Sequence, residues 1–137
     1  MSNRPHSIHH VNVPIKDPER TKEWYGKVFG MRHVPIAKKQ GGAPGVDEVL
    51  LLTRGNFDLH FTVHDDPPDI KPHHYCVEVE DWDGFMDHIA SLGIDHTEVF
   101  VRPQNQSKAT YIYDPDDNIV EIMYHPTWNH ESPMQSN

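Results

Sequence analysis

Cysteine and long apolar runs are scarce in this chain. Its 137 residues include a single cysteine, Cys76, which excludes an internal disulfide and any zinc site built from paired cysteines. No stretch approaches the roughly 20 apolar residues that a membrane-spanning helix needs, and the mean hydropathy is -0.71. The N-terminal residues lack the basic and then apolar layout of a secretory signal. We therefore expect a cytoplasmic protein without a membrane partner.

Basic residues are also few. Lys and Arg number 12 against 21 Asp and Glu, which gives a formal net charge of -9. Such a chain repels phosphate backbones, so we expect no nucleic-acid partner.

Histidine, in contrast, is plentiful. There are 12 histidines in the chain, and a histidine-rich, acidic composition favours a metal-binding hypothesis. Composition alone carries little weight, because surface and tail histidines such as His6, His125 and His130 need no role. The positions of the histidines along the chain are more informative.

The chain contains two copies of one pattern. Ile8–Val13 alternates like a strand, and a helix start follows at Asp17. The same order returns as His73–Val79 followed by Asp81, at an offset of about 64 residues along the printed sequence. Each helix is followed by three strand-like runs: Arg32–Ile36, Val46–Thr53 and Phe57–Val63 in the first copy, and Thr97–Val101, Ala109–Tyr113 and Asn118–Tyr124 in the second.

These patterns predict one domain of the α+β class built from two βαβββ repeats. The repeats span about 8–63 and 73–124, a proline-containing linker spans 64–72, and a loose tail spans 125–137.

Strand alternation places four ionisable residues opposite the apolar faces: His10, His60, His74 and Glu121. Each histidine alone more often has an ordinary packing role. Equivalent positions of a two-fold repeat meet around its pseudo-axis, however, and two imidazoles with one carboxylate suit a divalent metal that keeps open positions. Glu121 also lies within an apolar strand, where a carboxylate needs a partner or a metal to offset its desolvation.

Four segments resemble the vicinal oxygen chelate superfamily, which joins glyoxalase I, fosfomycin- and bleomycin-resistance proteins, epimerases and extradiol dioxygenases. The segments are Ile8–Asp17, Trp24–Met31, His73–Asp81 and Tyr113–Glu121. The resemblance covers roughly residues 8–124 and implies a curved mixed sheet around one divalent metal, with His10, His74 and Glu121 as ligands. One departure is Asp117, where the family usually has glycine; aspartate tolerates the left-handed conformation fairly well.

Two residues, His60 and Tyr111, favour one reaction within the superfamily. Extradiol dioxygenases have an acid–base histidine where this chain has His60, and a tyrosine ten residues before the glutamate ligand, where it has Tyr111. The resemblance therefore favours a small type I extradiol-like dioxygenase that cleaves a catechol-like diol with Fe(II), or with Mn(II). His60 would transfer the proton, Tyr111 would act in catalysis and substrate binding, and Asn12 would line the substrate site.

Two other functions stay open. A glyoxalase-type isomerase or epimerase would use Ni(II), Zn(II) or Co(II), with His60 as a fourth ligand or a base. A non-catalytic, bleomycin resistance-like binder of a cationic drug would suit the acidic charge but has no need of the metal ligands. The resemblance also implies a homodimer, to which Trp82, Phe100 and Trp128 could contribute. The small-molecule substrate is not identified by the sequence.

Overall fold

The chain forms two compact units. A computed structural model describes residues 3–36 and 43–133, and the units divide between Asp69 and Ile70. The predicted turn at 40–45 lies partly outside the described residues, as do residues 134–137 of the predicted tail.

The first unit is a βαβββ unit with one mixed sheet. Its four strands have the order β1-β4-β3-β2, with β1 parallel to β4 and the other neighbours antiparallel. The elements are β1 (His10–Ile15), α1 (Pro18–Phe29), β2 (Arg32–His33), β3 (Val49–Thr53) and β4 (Asp58–Val63).

The ends of α1 follow the sequence signals. The Asp17 side chain accepts hydrogen bonds from the backbone N–H groups of Glu19 and Arg20, and Pro18 occupies the first turn. A helix start of this kind satisfies amides that have no partner within the helix. Gly30 ends the helix at φ 68°, a left-handed conformation that glycine adopts without a Cβ clash.

The core of the first unit lies on one face of its sheet and beneath α1. Strand alternation buries Val13 and Ile15 of β1 and Leu59 and Phe61 of β4, whereas Val11 is 37% exposed. The helix contributes Thr21, Tyr25 and Val28. The buried apolar residues are Val13, Ile15, Tyr25, Val28, Met31, Leu50, Leu52, Leu59 and Phe61. The even-numbered residues of β1 and β4 share the other face, which positions the polar side chains described below.

The second unit has the same element order. Its four strands are arranged β5-β8-β7-β6, again with one parallel pair, β5 and β8. The elements are β5 (Tyr75–Glu78), α2 (Trp82–Ser91), β6 (Phe100–Arg102), β7 (Ser107–Tyr113) and β8 (Ile119–Tyr124). The predicted α+β fold with two βαβββ repeats is confirmed.

The helical spacing of Phe85, Ile89 and Leu92 predicts a buried apolar stripe along α2, and the observed burial differs from it in part. Asp81 caps the helix by accepting from the Gly84 N–H, and Ile89 is fully buried as expected. Leu92, however, is exposed, because it is the C-cap and no longer on the helical face. Trp82, at the first helical position, is buried instead. Ordinary packing thus accounts for Trp82, one of the residues considered for a dimer contact.

A buried polar turn joins β7 to β8. The Asp114 carboxylate is 4 % exposed, and it accepts hydrogen bonds from the Asp116 and Asn118 N–H groups and from the Asn118 side-chain amide. Asp117 has φ 62°, the left-handed conformation expected where the family usually has glycine. This turn sets the β7–β8 register, in which Tyr111 lies opposite Glu121.

Two strand boundaries differ from the predictions in a way that matters for the site. A strand that starts at Ile8 predicts that His9 shares one face with the apolar residues Val11 and Val13. The first strand instead begins at His10, so His9 precedes the sheet. The fifth strand begins at Tyr75 rather than His73, so His74 also precedes its strand. Among the described residues, no helix has the length and apolar character that crossing a membrane requires.

Candidate functional site

The predicted site residues divide between the two units. His10, Asn12 and His60 belong to the first, and His74, Tyr111 and Glu121 to the second. The two strand pairs have matching registers: Asn12 pairs with His60 in the first unit, and Cys76 pairs with Glu121 in the second. His60 and Glu121 therefore occupy equivalent positions of the repeat. His60 is on β4, beside β1, which begins at His10; Glu121 is on β8, beside β5, which begins one residue after His74.

Three imidazole rings lie together in the first unit. The His10 and His60 rings are stacked, with centroids 3.7 Å apart and planes 20° from parallel. His9 meets the His10 ring edge-on at a centroid distance of 5.3 Å, and their Nδ1 atoms are 3.1 Å apart. One ring nitrogen from each of the three residues lies within 4.8 Å of the others. His9 was not predicted as a site residue, although the His9-His10 pair is visible in the sequence. Its side chain can be placed only when the start of the first strand is known.

His60 is the most enclosed of these rings. Its Nε2 atom is buried and has no hydrogen-bond partner among the described residues; the nearest carboxylate oxygen, Asp58 Oδ2, is 3.6 Å away, which is too long for a hydrogen bond. Burial, followed by the charge of a protonated His10, lowers the pKa of His60 below its ordinary value, and Asp58 opposes this only in part. His60 is therefore neutral at pH 7.

Asn12 is held by a neighbouring side chain. Its Oδ1 accepts a hydrogen bond of 2.9 Å from the Thr62 hydroxyl on β4. This contact orients the amide on the polar face of the first unit's sheet, two residues after His10.

His74 and Glu121 form a hydrogen-bonded pair in the second unit. His74 Nε2 lies 3.0 Å from Glu121 Oε1, and His74 Nδ1 lies 2.9 Å from the Pro72 carbonyl oxygen. Both partners only accept hydrogen bonds, so the two contacts favour the protonated ring, in which both nitrogens donate. The Pro72 hydrogen bond is the main cause of the raised pKa of His74, with a further contribution from Glu121.

This arrangement also fits metal binding. A hydrogen bond from one imidazole nitrogen to a backbone carbonyl fixes the tautomer and leaves the other nitrogen as a ligand. In His74, Nδ1–H donates to the Pro72 carbonyl oxygen. Nε2 is therefore the nitrogen that a cation would bind, beside the Glu121 oxygen.

Tyr111 lies next to this pair. Its ring meets the His74 ring edge-on at 5.5 Å. Burial is the main cause of the raised pKa of Tyr111, and the charge and hydrogen bonding of Glu121 add to it. The Tyr111 hydroxyl therefore stays protonated at neutral pH and can donate a hydrogen bond.

A pocket of about 680 Å³ opens on this face of the second unit. Glu121, Cys76 and Met123 form part of its lining, together with Arg102 and the aromatic ring of Trp128. Residues of the predicted tail also line the pocket, among them Trp128 and His130. The Trp128 Nε1–H donates to His130 Nδ1 at 2.9 Å. The tail residues show no periodic pattern, because they lie outside regular strands and helices.

The two site histidines should titrate on opposite sides of their ordinary value. In metal-free protein we expect His74 to lose its proton above pH 6.5 and His60 below it. Histidine NMR signals followed against pH measure both. Glu121→Gln should lower the His74 pKa only partway, because the Pro72 hydrogen bond remains. Observing His74 titrate below His60 would contradict the hydrogen-bonding scheme.

Comparison with known proteins identifies the family. Residues 7–122 match the model of the Glyoxalase/Bleomycin resistance protein/Dioxygenase superfamily, so the chain belongs to this superfamily. No curated protein matches the sequence.

Solved structures agree with this assignment. The chain is similar to a glyoxalase family protein from Bacillus anthracis, with 25% identity and a TM-score of 0.73 over 91% of this chain and 99% of that one. It also resembles the fosfomycin resistance protein FosX from Listeria monocytogenes, with 15% identity and a TM-score of 0.72 over 95% and 99% of the two chains. For lactoylglutathione lyase from Agrobacterium tumefaciens the identity is 21% and the TM-score 0.65 over 88% and 94%.

Proposed function

We propose that the protein is a metal-dependent enzyme that cleaves the ring of a catechol-like diol with O₂. The observation that carries the proposal is His60, a neutral imidazole at the position equivalent to the Glu121 carboxylate. A general base must be unprotonated at the working pH and able to return its proton. Ring cleavage places both atoms of O₂ in the product and so needs no other oxidant or reductant.

One divalent metal would be held by His10, His74 and Glu121, with Fe(II) as the favoured ion. Support comes from the second unit, where His74 Nε2 and Glu121 Oε1 are adjacent and Pro72 fixes the tautomer. Mn(II), Zn(II), Ni(II) and Co(II) accept the same donors, which suit several divalent ions. When bound, the metal supplies a cation that lowers the pKa of a coordinated hydroxyl.

The protein's own groups would handle the proton and the substrate. His60 accepts the proton of a diol hydroxyl and returns it to the ring-opened product. Tyr111, neutral because its pKa is raised, donates a hydrogen bond to a substrate oxygen, and Asn12, held by Thr62, lines the site. Trp128 in the pocket of the second unit offers a face on which an aromatic ring can stack.

Loading with Fe(II) under anaerobic conditions, followed by an oxygen-electrode screen of catechols, tests this proposal. We expect oxygen uptake together with a yellow ring-opened product for at least one diol. A methylglyoxal–glutathione assay runs beside it. Inertness toward diols with rapid turnover of the hemithioacetal would overturn the proposal in favour of an isomerase. Failure of the protein to take up any metal would instead favour the drug-binding function.

The cytoplasmic location and the homodimer stay predictions from the sequence. Of the three residues considered for a dimer contact, Phe100 is 58% exposed and Trp128 44% exposed. Since Trp128 also lines the pocket, Phe100 is the better candidate for such a contact.

A further inference from the structure

We propose that His9, His10 and His60 bind a divalent transition-metal ion on the first unit by themselves, without His74 or Glu121. This ligand set needs neither residue of the second unit, but it shares His10 with the proposed metal centre and uses the proposed base His60, so the two modes of binding would exclude each other. It adds His9, which has no part in the proposed reaction.

The distances between the rings suit a shared ion. The Nδ1 atoms of His9 and His10 are 3.1 Å apart, and two imidazole nitrogens on one tetrahedral zinc ion, each at about 2.0–2.1 Å, are separated by about 3.4 Å. His60 brings a third ring nitrogen within 4.8 Å of the others.

His60 supplies an independent indication that a ligand belongs here. Its Nε2 is buried without a hydrogen-bond partner among the described residues, and an unpartnered buried nitrogen costs free energy that a bound ion or donor recovers. Asp58, 3.6 Å from that nitrogen, is too far away to satisfy it with a hydrogen bond, so an ion bound at Nε2 would be its partner.

Binding requires a small rearrangement of the rings. The nearly parallel planes of His10 and His60 direct their in-plane lone pairs alongside each other, so at least one ring must turn about χ2 for both to reach one ion. This torsion is broad in histidine. His9 and His10 are exposed, which leaves their rings free to turn.

The donor set determines the class of ion. Three imidazoles without a carboxylate favour Zn²⁺, Cu²⁺, Ni²⁺ or Co²⁺ over Mg²⁺, Ca²⁺ or Mn²⁺, which prefer oxygen ligands. The site would therefore discriminate by ligand type among the ions available to it.

Because His10 belongs to both ligand sets, the experiment removes the second unit's donors. Equilibrium dialysis and visible absorption with Co²⁺ are carried out on the Glu121→Gln protein and on the His74→Ala/Glu121→Gln protein, so that a folding defect in one leaves the other. We expect each to bind one Co²⁺. Adding His9→Ala to either should weaken binding by at least about a hundredfold, whereas adding His33→Ala, an exposed histidine on β2, should change nothing.

Cu²⁺ electron paramagnetic resonance gives a second readout. The nitrogen hyperfine pattern should indicate three imidazoles in these backgrounds and two after His9→Ala. No Co²⁺ binding in either background, or binding that His9→Ala leaves unchanged, would overturn the inference. If the unmodified protein still binds a metal that these backgrounds lose, the three-histidine site fails while the proposed metal centre stands. If the unmodified protein binds none, both fail.

Discussion

Replacing Glu121 with glutamine is expected to reduce diol-dependent oxygen uptake by at least about a thousandfold in kcat, which corresponds to about 4 kcal/mol of transition-state stabilisation. The substitution keeps the size of the side chain but removes the only anionic ligand of the proposed centre. It also replaces the charged acceptor that pairs with His74 Nε2 at 3.0 Å by a neutral amide, which accepts more weakly. Oxygen-electrode rates with the diol identified by the screen, at saturating Fe(II), measure the effect.

A matched control separates charge loss in general from loss of the ligand. Glu98→Gln also removes one negative charge from the second unit, at an exposed position before β6, and should leave the rate unchanged. Glu121→Asp keeps the charge and should retain more activity than Glu121→Gln. A Glu121→Gln protein as active as the unmodified one would eliminate Glu121 as a ligand.

Cys76 is expected to react with iodoacetamide near pH 8 about thirtyfold more slowly than an unfolded thiol. Cys76 is exposed as a residue, but desolvation of its sulfur by neighbouring groups, assisted by the charges of Glu121 and Glu78, raises the pKa of Cys76 to about 12. The thiolate that reacts is therefore scarce. At this pH the folded protein has about a thousandfold less Cys76 thiolate than the unfolded protein. A more basic thiolate is a better nucleophile, and this raises the reaction rate of each thiolate by about thirtyfold. Mass spectrometry of timed samples measures the rate.

The same protein in denaturant supplies the reference rate, because Cys76 is the chain's single cysteine. Glu78→Gln and Glu121→Gln should each accelerate labelling of the folded protein, since each removes a charge that opposes thiolate formation. Equal rates in folded and denatured protein would show that the sulfur is not in the environment described.

Much of the fold could be predicted because its signals are local. Asp17 followed by Pro18 defines a helix start through hydrogen bonds to the next few residues, and strand alternation separates Val13 and Ile15 from Asn12 without knowledge of any other element. The same alternation correctly grouped His10 with Asn12, and His60 with Thr62.

The arrangement around the site depends on features that local patterns do not contain. His9 was assigned to the apolar face because the strand was predicted to begin before it, and a shift of two residues in that boundary placed its ring beside His10. The contribution of Pro72 to His74 comes from a backbone carbonyl in the linker, and the lining by Trp128 from a segment without periodicity. Such contacts depend on the path of the chain between elements.

The polar turn at Asp114 bears on how this protein can be altered. In a β-strand, a slip of one residue exchanges the two faces, so a change in the β7–β8 pairing would move the Glu121 carboxylate from the polar side of the sheet to the apolar side. The orientation of the Glu121 carboxylate thus depends on a hairpin turn several residues away. Residues of the pocket wall other than Glu121 and Trp128 can be varied to change substrate preference. A loosened hairpin, in contrast, would abolish the proposed activity while every proposed ligand stayed in the sequence.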